Sequence, residues 1–133
     1  MKSIKEVMII DDDSTLIFLA EKFIQIIGMV EKTTAFEDGK TAYQALLDRE
    51  KHGQPYPDII LLDITMQDWD AWTTLNEFKK AGILNKLDIY ILTSSSSKED
   101  RRLAKTFNLE DQYIEKPISP ELLRAIFESH LGA

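Results

Sequence analysis

Residues 7–13 read Val7-Met8-Ile9-Ile10-Asp11-Asp12-Asp13. A short, β-branched apolar run followed at once by three carboxylates describes a strand buried on both faces that ends in a polar rim. The pattern recurs. Ile59-Ile60-Leu61-Leu62 stops at Asp63, and Ile89-Tyr90-Ile91-Leu92 stops at Thr93-Ser94. Two further blocks, Val30 to Phe36 and Tyr113-Ile114, bring the candidate strands to five, and the last runs into Lys116-Pro117. Runs that are apolar at every position suit the centre of a parallel sheet rather than half-exposed antiparallel strands.

The segments between these blocks carry helical spacing. Leu16, Leu19, Ala20, Phe23 and Ile27 form one stripe, with Ser14 as the expected N-cap and Gly28 as terminator. Ala42, Ala45 and Leu46 follow Asp38-Gly39, and Leu75 and Phe78 mark a third helix ending near Gly82. Ser96 and Glu99 read as a capping box ahead of Leu103, Ala104 and Phe107. Ser119-Pro120 opens a last helix containing Leu122, Leu123, Ile126 and Phe127. Five strands alternating with five helices predict a doubly wound α/β fold: a five-stranded parallel sheet with right-handed crossovers and helices on both faces. Ligands in such folds bind beyond the carboxyl ends of the strands.

Length and composition bound the rest. A chain of 133 residues holds one domain and one core, here expected to run from about residue 6 to 131, with no output domain after the last helix. The longest unbroken apolar run, Leu16 to Ala20, is far short of the roughly 20 residues a membrane-spanning helix needs. No secretory signal is read in the first residues, and with no Cys a cytoplasmic address is the default. Sixteen Lys and Arg against 23 Asp and Glu give a net charge of −7, which argues against nucleic acid as a partner. His52 and His130 read as solvated.

The strand ends carry the chemistry. A parallel sheet gathers Asp11, Asp12, Asp13, Asp63, Thr93 and Lys116 on one edge. Two unit charges about 5 Å apart repel by roughly 3 kcal/mol at an effective dielectric of 20, so packing alone gives no reason to collect carboxylates there. A hard divalent cation relieves the repulsion, and an all-oxygen donor set selects Mg²⁺, or Mn²⁺, over zinc. A carboxylate nucleophile, a hydroxyl and a lysine ammonium complete the set of groups that phosphoryl transfer uses.

Asp11-Asp12 after the first strand, Asp63 after the third, Thr93 after the fourth and Lys116-Pro117 after the fifth together resemble the receiver domain of two-component response regulators. The resemblance covers nearly the whole chain and implies the flavodoxin-like strand order 2-1-3-4-5. It implies that Asp63 accepts a phosphoryl group from a histidine kinase or phosphotransfer protein. The chain would then act as a switch for a downstream protein, catalysing only its own phosphorylation and dephosphorylation. It further implies that Asp12, Asp63 and the Thr65 backbone carbonyl bind Mg²⁺ directly, with Asp11 acting through water. Thr93 and Lys116 would engage phosphoryl oxygens, Thr65 and Ser95 match positions that tune phosphoryl lifetime, and Tyr113 matches an aromatic that rotates inward on activation. Lys116-Pro117 matches a cis bond, and Arg101, Arg102, Tyr113 and the last helix make up the expected docking face. Two positions depart from the family pattern: Gln67 stands where Pro is usual and Ala71 where Gly is usual, in a loop that also holds Asp68, Trp69, Asp70 and Trp72.

Two rival readings share parts of this pattern. Asp11-x-Asp13-x-Thr15-Leu16 also fits a haloacid dehalogenase-type phosphatase, with Asp11 as nucleophile and Asp13 as acid/base. That reading leaves Asp63 unexplained and finds no final acidic motif after Lys116, where only Glu121 and Glu128 remain. The other is a receiver-like binding module that works without phosphate, which the Gln67 and Ala71 departures allow.

Overall fold

The structure, a computed structural model, describes residues 3–94 and 97–132. The strands are β1 (Ile4–Ile10), β2 (Val30–Phe36), β3 (Ile59–Asp63), β4 (Ile89–Thr93) and β5 (Tyr113–Glu115). They alternate with α1 (Ser14–Ile27), α2 (Gly39–Lys51), α3 (Ala71–Lys80), α4 (Lys98–Thr106) and α5 (Pro120–His130). All four strand pairings are parallel, as the apolar blocks predict, and the sheet order is β2-β1-β3-β4-β5, as the resemblance implies.

Side chains alternate across the central strands, so β1 feeds two cores. Met8 and Ile10 pack with Ile60, Leu62, Leu46, Leu75 and Phe78, on the face covered by α2 and α3. Val7 and Ile9 pack with Leu61, Leu92, Leu16, Ala20, Leu123 and Phe127, on the face covered by α1 and α5. Every residue of β3 is buried, whereas the edge strand β2 is half open to solvent. Burying side chains of this size is worth roughly 1.5–3 kcal/mol each, which is why the fully apolar blocks took the centre of the sheet.

Helix ends follow their sequence signals with two adjustments. Gly28 terminates α1 in the left-handed conformation (φ +72°), and Ser119 caps α5 ahead of Pro120. The N-cap of α1 is Asp13, not Ser14: Asp13 Oδ1 accepts from the backbone N–H of Thr15 (3.0 Å) and Leu16 (3.4 Å). A carboxylate also opposes the positive end of the helix dipole better than a serine hydroxyl does. The cap of α4 is Ser97, whose Oγ accepts from Asp100 N at 3.0 Å. Ser95 and Ser96, singled out from the sequence, lie outside the described residues. No helix among the described residues is long and apolar enough to cross a membrane.

Candidate functional site: an acidic rim sharing one lysine

Register builds the site. Ile10 pairs with Leu62, and Asp63 with Leu92, so the residues ending β1, β3 and β4 emerge side by side. The rim backbone stays tied past the strand ends: Asp11 N donates to Phe36 O, Ile64 N to Leu92 O and Lys116 N to Thr93 O, at 3.0, 3.0 and 2.7 Å. Side chains attached there are held by the sheet rather than by a mobile loop.

Asp11, Asp12 and Asp63 each present an oxygen within 4.8 Å of the others. Asp11 is fully buried, Asp63 is 6% exposed and Asp12 faces solvent. Lys116 reaches across from the end of β5, its Nζ donating to Asp63 Oδ1 at 3.0 Å and to Asp11 Oδ2 at 3.2 Å. Asp11 Oδ1 accepts the Asp13 N–H at 2.9 Å. One ammonium thus serves two buried carboxylates with a third alongside, and the site is short of positive charge.

The ionisation behaviour follows. Burial, with the Asp11 charge added, pushes the Asp63 carboxyl from 3.8 up to about 6 despite Lys116. Burial raises Asp11 as well. Burial disfavours the Lys116 charge, but its hydrogen bond to Asp63 and the neighbouring charges outweigh that and hold it above its usual range. A set of oxygen donors with unneutralised negative charge, and no His or Cys among them, fits a hard divalent cation.

Thr93 stands next to the acids at the end of β4, 3% exposed. Tyr113 lies half-buried on β5 beside Thr93, and the Arg101 guanidinium sits 5.0 Å from its ring centroid. Burial raises the Tyr113 phenol, outweighing the opposite influence of the Thr93 hydroxyl. Thr65 is exposed in the loop after Asp63, and the Lys116-Pro117 bond is cis, as the resemblance implies. The loop carrying Gln67 and Ala71 is closed by the Ala71 N–H donating to Ile64 O at 3.0 Å, and Asp70 caps α3.

The sequence of this chain matches the response regulator receiver domain over residues 7–128. The chain belongs to that family. This receiver is 29% identical to protein PilG of Pseudomonas aeruginosa, over 95% of the chain and 87% of PilG. It is 27% identical to a probable methanogenesis regulatory protein, FilR2, of Methanothrix harundinacea, over 92% of the chain and 78% of that protein. A crystal structure of a two-component response regulator from Cytophaga hutchinsonii superposes with a TM-score of 0.86 at 28% identity, covering 99% of this receiver and all of the other chain. The receiver is also 31% identical to part of the sensor histidine kinase CheAY of Helicobacter pylori, spanning 14% of its length.

The rim accommodates the phosphatase reading poorly. Asp13, its acid/base, is occupied as a helix cap, and Asp63, which it leaves out, is one of the three clustered acids. Other details were missed in the sequence. His130 Nδ1 lies 3.2 Å from Asp88 Oδ2, so it has a partner. Trp69 packs on Tyr43, and Trp72 reaches Asp100 of α4. A tryptophan in the first turn of α3 gave no indication that it would face α4.

Proposed function

We propose that this receiver accepts a phosphoryl group on Asp63 from the phosphohistidine of a sensor kinase or phosphotransfer protein, in a Mg²⁺-dependent reaction, and thereby changes its affinity for a downstream protein. The observation that supports this most is the crowding of Asp11, Asp12 and Asp63 within 4.8 Å of one another, with a single ammonium shared by Asp11 and Asp63. In the reaction an Asp63 carboxylate oxygen forms a bond to phosphorus. The phosphorus–nitrogen bond of the donor breaks, and its electron pair returns to the imidazole. Asp12, Asp63 and the Thr65 carbonyl would hold the metal, Asp11 would act through water, and Mn²⁺ would substitute for Mg²⁺. When bound, the cation neutralises charge on the phosphoryl oxygens. Lys116 moves from pairing carboxylates to pairing a phosphoryl oxygen, and the Thr93 hydroxyl donates to another, so catalysis is positioning plus electrostatics.

The switch acts through Thr93. Thr93 lies beside Tyr113, so any pull on its hydroxyl is felt by Tyr113, by Arg101 above the ring and by Glu115, which Arg101 pairs at 3.0 Å. The face of α4, β5 and α5 carrying these residues is the proposed docking surface. Phosphoryl transfer is the chain's own modification rather than turnover of another substrate.

Incubation with acetyl phosphate and Mg²⁺, followed by intact-mass measurement and a purified panel of histidine kinases, tests the reading. One phosphoryl group on Asp63, absent in Asp63→Asn and in EDTA, is the expected result. No mass gain under any donor would leave the phosphate-independent binding module standing.

A further inference from the structure

Helix α4 is polar and lightly anchored: Ala104 is the one fully buried residue among its nine. Elements with so little buried apolar contact open at low free energy, so the groups that tie such a helix down decide where it sits. On one side Arg101 reaches β5, through the Tyr113 ring and Glu115. On the other side the tie is Trp72. Its indole Nε1 donates to Asp100 Oδ1 at 3.1 Å, in the first turn of α4. Its ring stacks on Phe107, the residue that ends α4, with centroids 6.3 Å apart and planes 10° from parallel. One side chain of α3 thus grips both ends of α4.

Trp72 is also close, through backbone, to the acceptor. It is the second residue of α3, directly after Ala71, whose N–H donates to the carbonyl of Ile64, the neighbour of Asp63. We propose that Trp72 is a positioning residue that couples the state of Asp63 to the placement of α4, in parallel with the Thr93–Tyr113 connection. A displacement at Asp63 and Ile64 is carried by the Ala71 hydrogen bond into the first turn of α3, and Trp72 passes it to Asp100 and Phe107. The device biases a lightly held helix from the side opposite β5. It rests on the reading of Asp63 as phosphoacceptor.

The test is amide hydrogen exchange of α4 in the full chain, with and without beryllofluoride and Mg²⁺, with beryllofluoride binding followed separately by fluorine NMR. Without the mimic, Trp72→Phe and Asp100→Ala should each speed α4 exchange about fivefold, the factor that one ordinary hydrogen bond represents. The double variant should do no more than either single change, because both remove the same bond. Asp100→Asn, which keeps an acceptor oxygen, should stay within about twofold of the parent, and Trp69→Phe, which alters the contact with Tyr43, should leave α4 unchanged. With the mimic, the change in α4 exchange seen in the parent should fall by more than half in Trp72→Phe while fluoride binding persists. Additive single effects, unaltered α4 exchange in Trp72→Phe, or a full mimic response in that variant would each overturn the coupling. Failure of the parent to bind beryllofluoride would count against the phosphoacceptor reading instead, and the exchange rates without mimic would still judge the tie.

Discussion

The sheet carries a buried carboxylate toward each end, Glu6 on β1 and Asp63 on β3, and the two are treated in opposite ways. Near the amino end, Glu6 is 6% exposed and fully partnered: Arg49 donates to both of its oxygens at 2.7 Å, and the Thr34 hydroxyl adds a third bond at 2.7 Å. Burial alone would raise the Glu6 carboxyl, but those bonds outweigh it and hold the group below its usual range. At the carboxyl end, Asp63 is equally buried but shares one ammonium with Asp11, and it is raised to about 6. Burial is therefore not what separates the two sites. The supply of donors is. On the proposed function, the carboxylate that holds the fold together is saturated and the phosphoacceptor is left short of positive charge.

That contrast can be broken experimentally. The largest effect expected is on phosphoryl uptake, which Asp63→Asn should abolish and Glu6→Ala should leave intact in the folded fraction; intact mass after acetyl phosphate treatment reads both. Stability should move the other way. Glu6→Ala strands the Arg49 charge and should cost about 3 kcal/mol in urea unfolding. In EDTA, Asp63→Asn should gain about 2–3 kcal/mol, the cost of the raised carboxyl at neutral pH. Acidification separates the two further. Asp63 binds its proton more tightly when folded, so between about pH 4 and 6 the folded state holds more protons and stability falls as pH rises. Acidifying the metal-free protein from pH 7 to 5 should therefore stabilise it, and Asp63→Asn should flatten that slope. Glu6 binds its proton more weakly when folded, so its contribution is complete above 4.5 and is lost on further acidification. The smallest effect expected is from metal. Mg²⁺ should stabilise the parent by about 1–2 kcal/mol and Asp12→Asn by less than half of that, measured as shifts in melting temperature.

The sheet was legible because its central strands carry four-residue blocks that are apolar throughout, Val7 to Ile10, Ile59 to Leu62 and Ile89 to Leu92, each stopping at a polar residue. Four such stops, at the ends of β1, β3, β4 and β5, leave only one edge for Asp11, Asp12, Asp63, Thr93 and Lys116. The Asp13 cap was harder to read, since three consecutive acids offer no local signal as to which one turns back to the helix. Donor geometry was not legible at all. That Lys116 divides itself between Asp11 and Asp63, and that Arg49 closes on Glu6 from 43 residues away, depends on side-chain paths across the fold. The same holds for Trp72 and Asp100, which stand 28 residues apart on different helices.

One contact between two uncharged residues bears on the site as well. A methyl group at Gly39 would lie 1.9 Å from the Thr74 hydroxyl oxygen, so the start of α2 rests directly on α3. That hydroxyl donates to Asp70 O at 2.8 Å, and Asp70 is the cap that ends the loop begun at Asp63. A single missing carbon therefore sets the height at which the floor of the loop rides, and Gly39→Ala would tilt that floor without altering one ionisable group.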